Sequence, residues 1–194
     1  MNIKSITNTL IIFTLRRLIE IIGLIFSFFG ILLLVALLSY SPEDPNFIFP
    51  ENTQIHNLMG FRGSYVSDLF FQSIGLISYL VPITFIFIGI SIIRIKSFYI
   101  IIENLFYTVS YSFFGSLFFS FFYKNTFSIY INGNGGFIGS YLSEIKLVNF
   151  VLSYEKWSYY LLILFILVLF LLSVNFSPKS FYLSLKNLIL KIFK

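Results

Sequence analysis

The run IIGLIFSFFGILLLVALL, Ile21–Leu38, has 18 residues and no charge. As a helix rising about 1.5 Å per residue it reaches about 27 Å, close to the roughly 30 Å of hydrocarbon in a bilayer. Three further uncharged stretches, Leu69–Ile93, Asn104–Tyr123 and Trp157–Phe176, hold 25, 20 and 20 residues. Unpaired backbone groups are costly in lipid, so only helices or closed barrels cross it. Barrel strands alternate apolar and polar residues, and these runs are continuous, so they read as helices.

Composition agrees. The chain is 58% hydrophobic and only 11% charged, against about 25% charged in soluble domains. The expected fold is therefore an all-α membrane protein with four transmembrane helices. With no cysteine in the chain, disulfides and thiolate metal sites are excluded. Ile21–Leu38 is longer than a signal-peptide core, and no small-x-small site stands before Ser39-Tyr40-Ser41, so this span is expected to be retained.

Charge sets the expected orientation. Lys4, Arg16, Arg17, Arg94, Lys96, Lys179, Lys186, Lys191 and Lys194 fall on one side of the spans, and Arg62, Lys124, Lys146 and Lys156 on the other. The richer side is cytoplasmic by the positive-inside rule, which puts both termini there. The resulting division is a cytoplasmic segment 1–20, a membrane domain 21–176 with outer loops 39–68 and 124–156, and a tail 177–194.

The link Arg94-Ile95-Lys96-Ser97 predicts an antiparallel hairpin of spans two and three. Pro42, Pro45 and Pro50 extend the first outer loop. In the second, Ile138, Tyr141, Leu142, Ile145, Val148 and Leu152 recur at helical spacing, predicting a short amphipathic helix on or dipping into the outer surface. In the tail, Ser177-Pro178 starts a second, with Phe181, Leu185, Leu188, Ile189 and Ile192 as its apolar stripe. Its lysines suit an anionic inner leaflet, so the bilayer is the expected partner and direct nucleic-acid binding is not expected.

No reaction centre is legible. His56 is the only histidine, GxxxxGK[ST] is missing, and Gly133-Asn134-Gly135-Gly136 lacks a following lysine, so no enzyme activity, cofactor or metal is assigned. Polar groups deep in the spans are few; Glu20 and Glu103 sit near cytoplasmic ends. Pro82 predicts a kink in the second span, while Gly23, Gly30, Gly75, Gly89 and Gly115 permit close helix contact.

Three segments resemble the N-terminal membrane domain of the FtsK/SpoIIIE family of bacterial DNA translocases. They are Leu38–Phe47, with Ser39-Tyr40 and Asp44-Pro45; Ile55–Phe71, running on through Gly75 to Pro82; and Gly135–Ser143. The motif positions are Asp44, Pro45, Asn57, Gly60, Gly63, Asp68, Gly75, Pro82, Gly135, Gly136 and Gly139. Ser64 and Ser67 stand where the family usually has alanine.

The resemblance implies an anchor and scaffold at the division septum of the bacterial inner membrane, acting in cell division and chromosome segregation. Its partners are then divisome membrane proteins and further copies of itself, hexameric by the same likeness. The family's RecA-like motor is not in these 194 residues, so ATP hydrolysis is not carried over. Asn57 and Asp68 are expected to cap a turn and a helix start, and Gly60 and Gly63 to allow positive φ and close approach. A transporter or channel subunit is the alternative, and one part of a split translocase is a third reading.

Overall fold

The computed structural model describes residues 3–45, 54–124, 126, 132–145, 148, 153–179, 182, 183 and 186, with backbone alone at 3–9. Among these residues the regular structure is helical. The elements are α1 (Ile3–Leu38), α2 (Gly60–Ile74), a 3-10 turn (Gly75–Tyr79), α3 (Leu80–Ile95), α4 (Tyr99–Phe122), α5 (Gly136–Ser143) and α6 (Glu155–Ser173). Four stretches are long and apolar enough to cross a membrane: Leu10–Leu38, Gly60–Ile95, Tyr99–Phe122 and Glu155–Ser173.

α1 runs unbroken for 36 residues, well past the 18 read as its span. Nothing between Ile3 and Ile21 breaks a helix, since no proline or glycine occurs there. Arg17 and Lys96 both close on Glu20, at 2.5 and 2.7 Å, tying α1 to the turn between α3 and α4. That turn is made by Lys96 in the left-handed region at φ 58°, with its N–H returned to the Ile92 carbonyl.

α1 and α3 pack along a seam of small residues. A Cβ on Gly23 would stand 2.7 Å from the Gly89 carbonyl oxygen, and one on Gly30 would stand 2.9 Å from that of Pro82. Ser27 between them donates to the Ile86 carbonyl at 3.1 Å. Hydrocarbon gives no hydrophobic push between helices, so this backbone approach is what close packing and interhelical hydrogen bonds require.

α4 and α6 meet instead through rings, with Phe114 against Phe165 at 4.8 Å and Tyr159 against Phe122 at 5.0 Å. Tyr123 and Tyr159 share a hydroxyl contact of 2.8 Å above them. Leu24, Ile25, Phe28 and Phe29 of α1, and Leu161, Leu164 and Val168 of α6, are exposed, as lipid-facing side chains are.

The kink expected at Pro82 is displaced. Pro82 is the third residue of α3, inside the first turn, where its missing N–H leaves no hydrogen bond unmade. The axis breaks seven residues earlier, at Gly75, whose φ of 69° and ψ of −146° suit glycine almost alone. Among the described residues the expected second-loop helix is formed over Gly136–Ser143. It packs on α2 and α4 through Gly136, Gly139 and Leu142, and leaves Tyr141 and Ile145 exposed. Leu152, Asn46, Phe47 and the tail stripe Phe181, Leu185, Leu188, Ile189 and Ile192 lie outside the described residues.

Candidate functional site: a polar cap fixing the two long loops

At the end of α1, where the last carbonyls run out of helical donors, the first long loop folds back over the helix. Asp44 is 1% exposed. Its carboxylate accepts the backbone N–H groups of His56 at 2.7 Å and Asn57 at 2.9 Å, and faces His56 Nδ1 at 3.1 Å. These bonds close the loop between Asp44 and His56 on a single buried anion.

Asn57 then joins three elements. Its Nδ2 donates to the Ala36 carbonyl of α1 at 2.8 Å and reaches Ser67 of α2 at 3.4 Å. Its Oδ1 accepts the N–H of Met59 at 3.0 Å, which forms the turn into α2. Gly60 opens that helix at φ 65°. Gly63 lies directly against the Asn57 side chain, whose Cγ would be 3.1 Å from an added Cβ. Ser64 donates to the Pro45 carbonyl at 2.6 Å and Ser39 accepts Leu58 N–H at 3.1 Å.

Asp68 does not start a helix, as the sequence suggested; it lies in the middle of α2. There it accepts the Tyr40 hydroxyl at 3.2 Å and Gln72 Nε2 at 3.4 Å. The uncharged run begins at Leu69, and the helix begins nine residues earlier. Burial, and then the Asp68 carboxylate, push the Tyr40 hydroxyl above its ordinary pKa.

A second knot ties the other loop to the end of α2. The Asn134 carbonyl accepts the N–H of Leu76 at 2.9 Å, so the backbone break after α2 is held by the second loop. A Cβ on Gly75 would reach 2.5 Å from the Asn134 carbonyl carbon, and one on Gly136 would reach 2.7 Å from Gly75 N. Gly135 and Gly139 press on α4, where an added Cβ would lie 2.8 Å from Ser120 N and from the Ser116 carbonyl carbon. Asn132 bonds to Gln72 twice, at 3.3 Å each, and Ser116 donates to the Ile74 carbonyl at 2.9 Å.

Ten of the eleven motif residues thus fall into these two adjoining clusters. Asp44, Pro45, Asn57, Gly60, Gly63 and Asp68 form the first, and Gly75, Gly135, Gly136 and Gly139 the second. Pro82 stands apart in the α1–α3 seam. Among the described residues no three potential metal ligands converge.

Sequence reading missed a buried hydroxyl cluster within the bundle. Thr84 of α3 bonds to Tyr111 of α4 at 2.9 Å and to Ser173 of α6 at 3.1 Å. Asn175 reaches Ser91 at 3.2 Å, and Asn104 is wholly buried with no partner for its carboxamide among the described residues. The signal was present in α4, where Asn104, Thr108, Tyr111, Ser112, Gly115 and Ser116 recur at spacings of three or four and mark its inward face.

The sequence pattern described as the 4TM region of DNA translocase FtsK/SpoIIIE matches residues 15–186, a range that holds both clusters, most of the first apolar stretch and all of the other three. The chain belongs to this family. Among its relatives, the DNA translocase FtsK of Azospirillum brasilense is 36% identical over 73 residues, 37% of this chain and 12% of that protein. Those of Rickettsia prowazekii and Rickettsia typhi are 35% and 33% identical over 54 residues, 28% of this chain and 7% of theirs. The matches therefore span a small part of those relatives' length. No solved structure matches. The chain is a multi-pass membrane domain of the FtsK type.

Proposed function

We propose that this domain is a non-catalytic anchor and scaffold of an FtsK-like translocase, placed in the bacterial inner membrane at the division septum, with both termini cytoplasmic. The observation that carries the reading is the locked cap. Two loops that need only connect helices are instead fixed through buried polar groups and glycine contacts, the first to α1 and α2 and the second to the end of α2, the 3-10 turn and α4. Such fixing suits a surface that must keep one shape for a protein partner, because a preordered surface loses less entropy on binding. On the loop side of the spans stand Leu58 and Trp157, each 79% exposed, with Phe137 and Tyr141; three of these four are aromatic, a side-chain class enriched at protein interfaces. The partners are then other divisome membrane proteins and further copies of the chain.

A fluorescent fusion at the C-terminus, expressed in a dividing bacterium, tests this. Midcell fluorescence is expected. Gly63→Val drives a branched side chain into Asn57 and Met59, and is expected to leave membrane insertion intact while dispersing the midcell signal. Uniform envelope fluorescence of the unaltered chain refutes the septal role, and undisturbed recruitment of Gly63→Val refutes the part given to the cap. The buried hydroxyl cluster is the one observation favouring a transporter, and ion flux through reconstituted vesicles distinguishes that reading.

A further inference from the structure

Beside the cap, a groove of about 380 Å³ opens between the last three turns of α1 and the start of α2. Phe29, Leu33 and Ala36 form one wall, and Met59, Arg62 and Val66 the other. From Ala36 down to Phe29 it extends seven residues, about 10 Å along the α1 axis. Phe29 and Val66 are exposed, so the groove opens towards the bilayer.

Its lining is apolar except for one cation. Arg62 is exposed, and among the described residues it forms no ion pair. It sits on the first turn of α2, level with the end of α1, at the height where apolar helix gives way to polar loop. A guanidinium there faces the layer of lipid phosphates and can bind one through two parallel N–H bonds.

We infer that this groove seats an acyl chain of an anionic phospholipid from the leaflet on the loop side, with its phosphate held by Arg62. The chain itself gains little by leaving lipid for an apolar wall, since both are hydrocarbon. Preference among lipids therefore falls on the headgroup, where Arg62 favours net negative charge. A second protein chain would need a carboxylate of its own to meet this arginine, whereas phospholipid supplies the charge at the right height without further design.

The test is native mass spectrometry of the full chain released from mild detergent, titrated with phosphatidylglycerol and, separately, with phosphatidylcholine. Phosphatidylglycerol is expected at several-fold higher occupancy. Arg62→Gln is expected to lower it to the phosphatidylcholine level, and Arg62→Lys to restore part of it. Val66→Phe, which fills the groove, should reduce both lipids. Lys156→Gln, an exposed cation elsewhere on the loop side, should change neither.

Equal phosphatidylglycerol retention by Arg62→Gln and the unaltered chain overturns the inference, as does an equal loss in Lys156→Gln, which would mean bulk charge. Because the chain has no cysteine, Val66→Cys supplies a unique thiol. Disulfide-linked dimers of that variant in vesicles, with lipid occupancy insensitive to Arg62, would assign the groove to a second copy and overturn it as well.

Discussion

Replacing Asn57 with alanine isolates what the cap contributes, because one side chain joins α1, the first loop and α2. Asn57 is 4% exposed. Truncation removes the donor to the Ala36 carbonyl and the acceptor for Met59 N–H, which stand at 2.8 and 3.0 Å; the 3.4 Å approach to Ser67 is too long to count for much. Each polar group left unpaired in a buried place costs about 1–3 kcal/mol. Allowing for water reaching one of them at the loop edge, the two together come to about 2–4 kcal/mol. That multiplies the open fraction of the cap by roughly 30 to 1,000. Hydrogen exchange on the protein in lipid nanodiscs reads this directly. The amides of His56, Asn57, Leu58 and Met59 should speed up by about that factor, while those of Leu117 and Phe118 in α4 stay as they were. Exchange within about twofold of the unaltered chain at Met59 would show that Asn57 is not the fastening.

Other outcomes follow from the same geometry. Gly75→Ala meets both a backbone region costing about 1–3 kcal/mol for a residue with a Cβ and the Asn134 carbonyl, so it should lower the thermal midpoint in detergent more than Gly60→Ala, whose Cβ meets nothing within 4 Å. Tyr40→Phe removes the bond to Asp68 and should cost about 1 kcal/mol at neutral pH, measured by chemical denaturation. Tyr40 also predicts a base dependence. Its folded pKa is raised, so the neutral hydroxyl's contribution is complete below the unfolded value near 10 and is lost as pH climbs through the folded one. Stability of the unaltered chain should fall above about pH 10 relative to Tyr40→Phe, and parallel curves would contradict this.

Length and hydropathy made the bundle legible, because lipid imposes both on any spanning helix. What they cannot locate is where a helix begins or breaks for reasons other than lipid. Asp68 looked like a helix start because its short polar side chain suits a cap, yet α2 begins at Gly60. Pro82 drew attention as the natural breaker, but the break is held by Asn134, which offers its carbonyl to Leu76, 58 positions away. No local window contains that pairing. The glycines were marked by their spacing and the family likeness, and the structure shows why side chains are excluded at most of them: at Gly75, Gly135, Gly136 and Gly139 one backbone lies against another. The hydroxyl cluster was overlooked because serine, threonine and tyrosine lower hydropathy only slightly; their periodicity along α4 was the better indicator.

α1 is one stiff rod, about 54 Å from Ile3 to Leu38 at helical rise, and its last turn is fastened to the cap through Ala36 and Ser39. The neighbouring α2–α3 segment is jointed at Gly75. The far end of α1 and the cap are thus joined by one uninterrupted helix, whereas the route through α2 and α3 passes a break at Gly75 whose geometry is set by a carbonyl from the second loop.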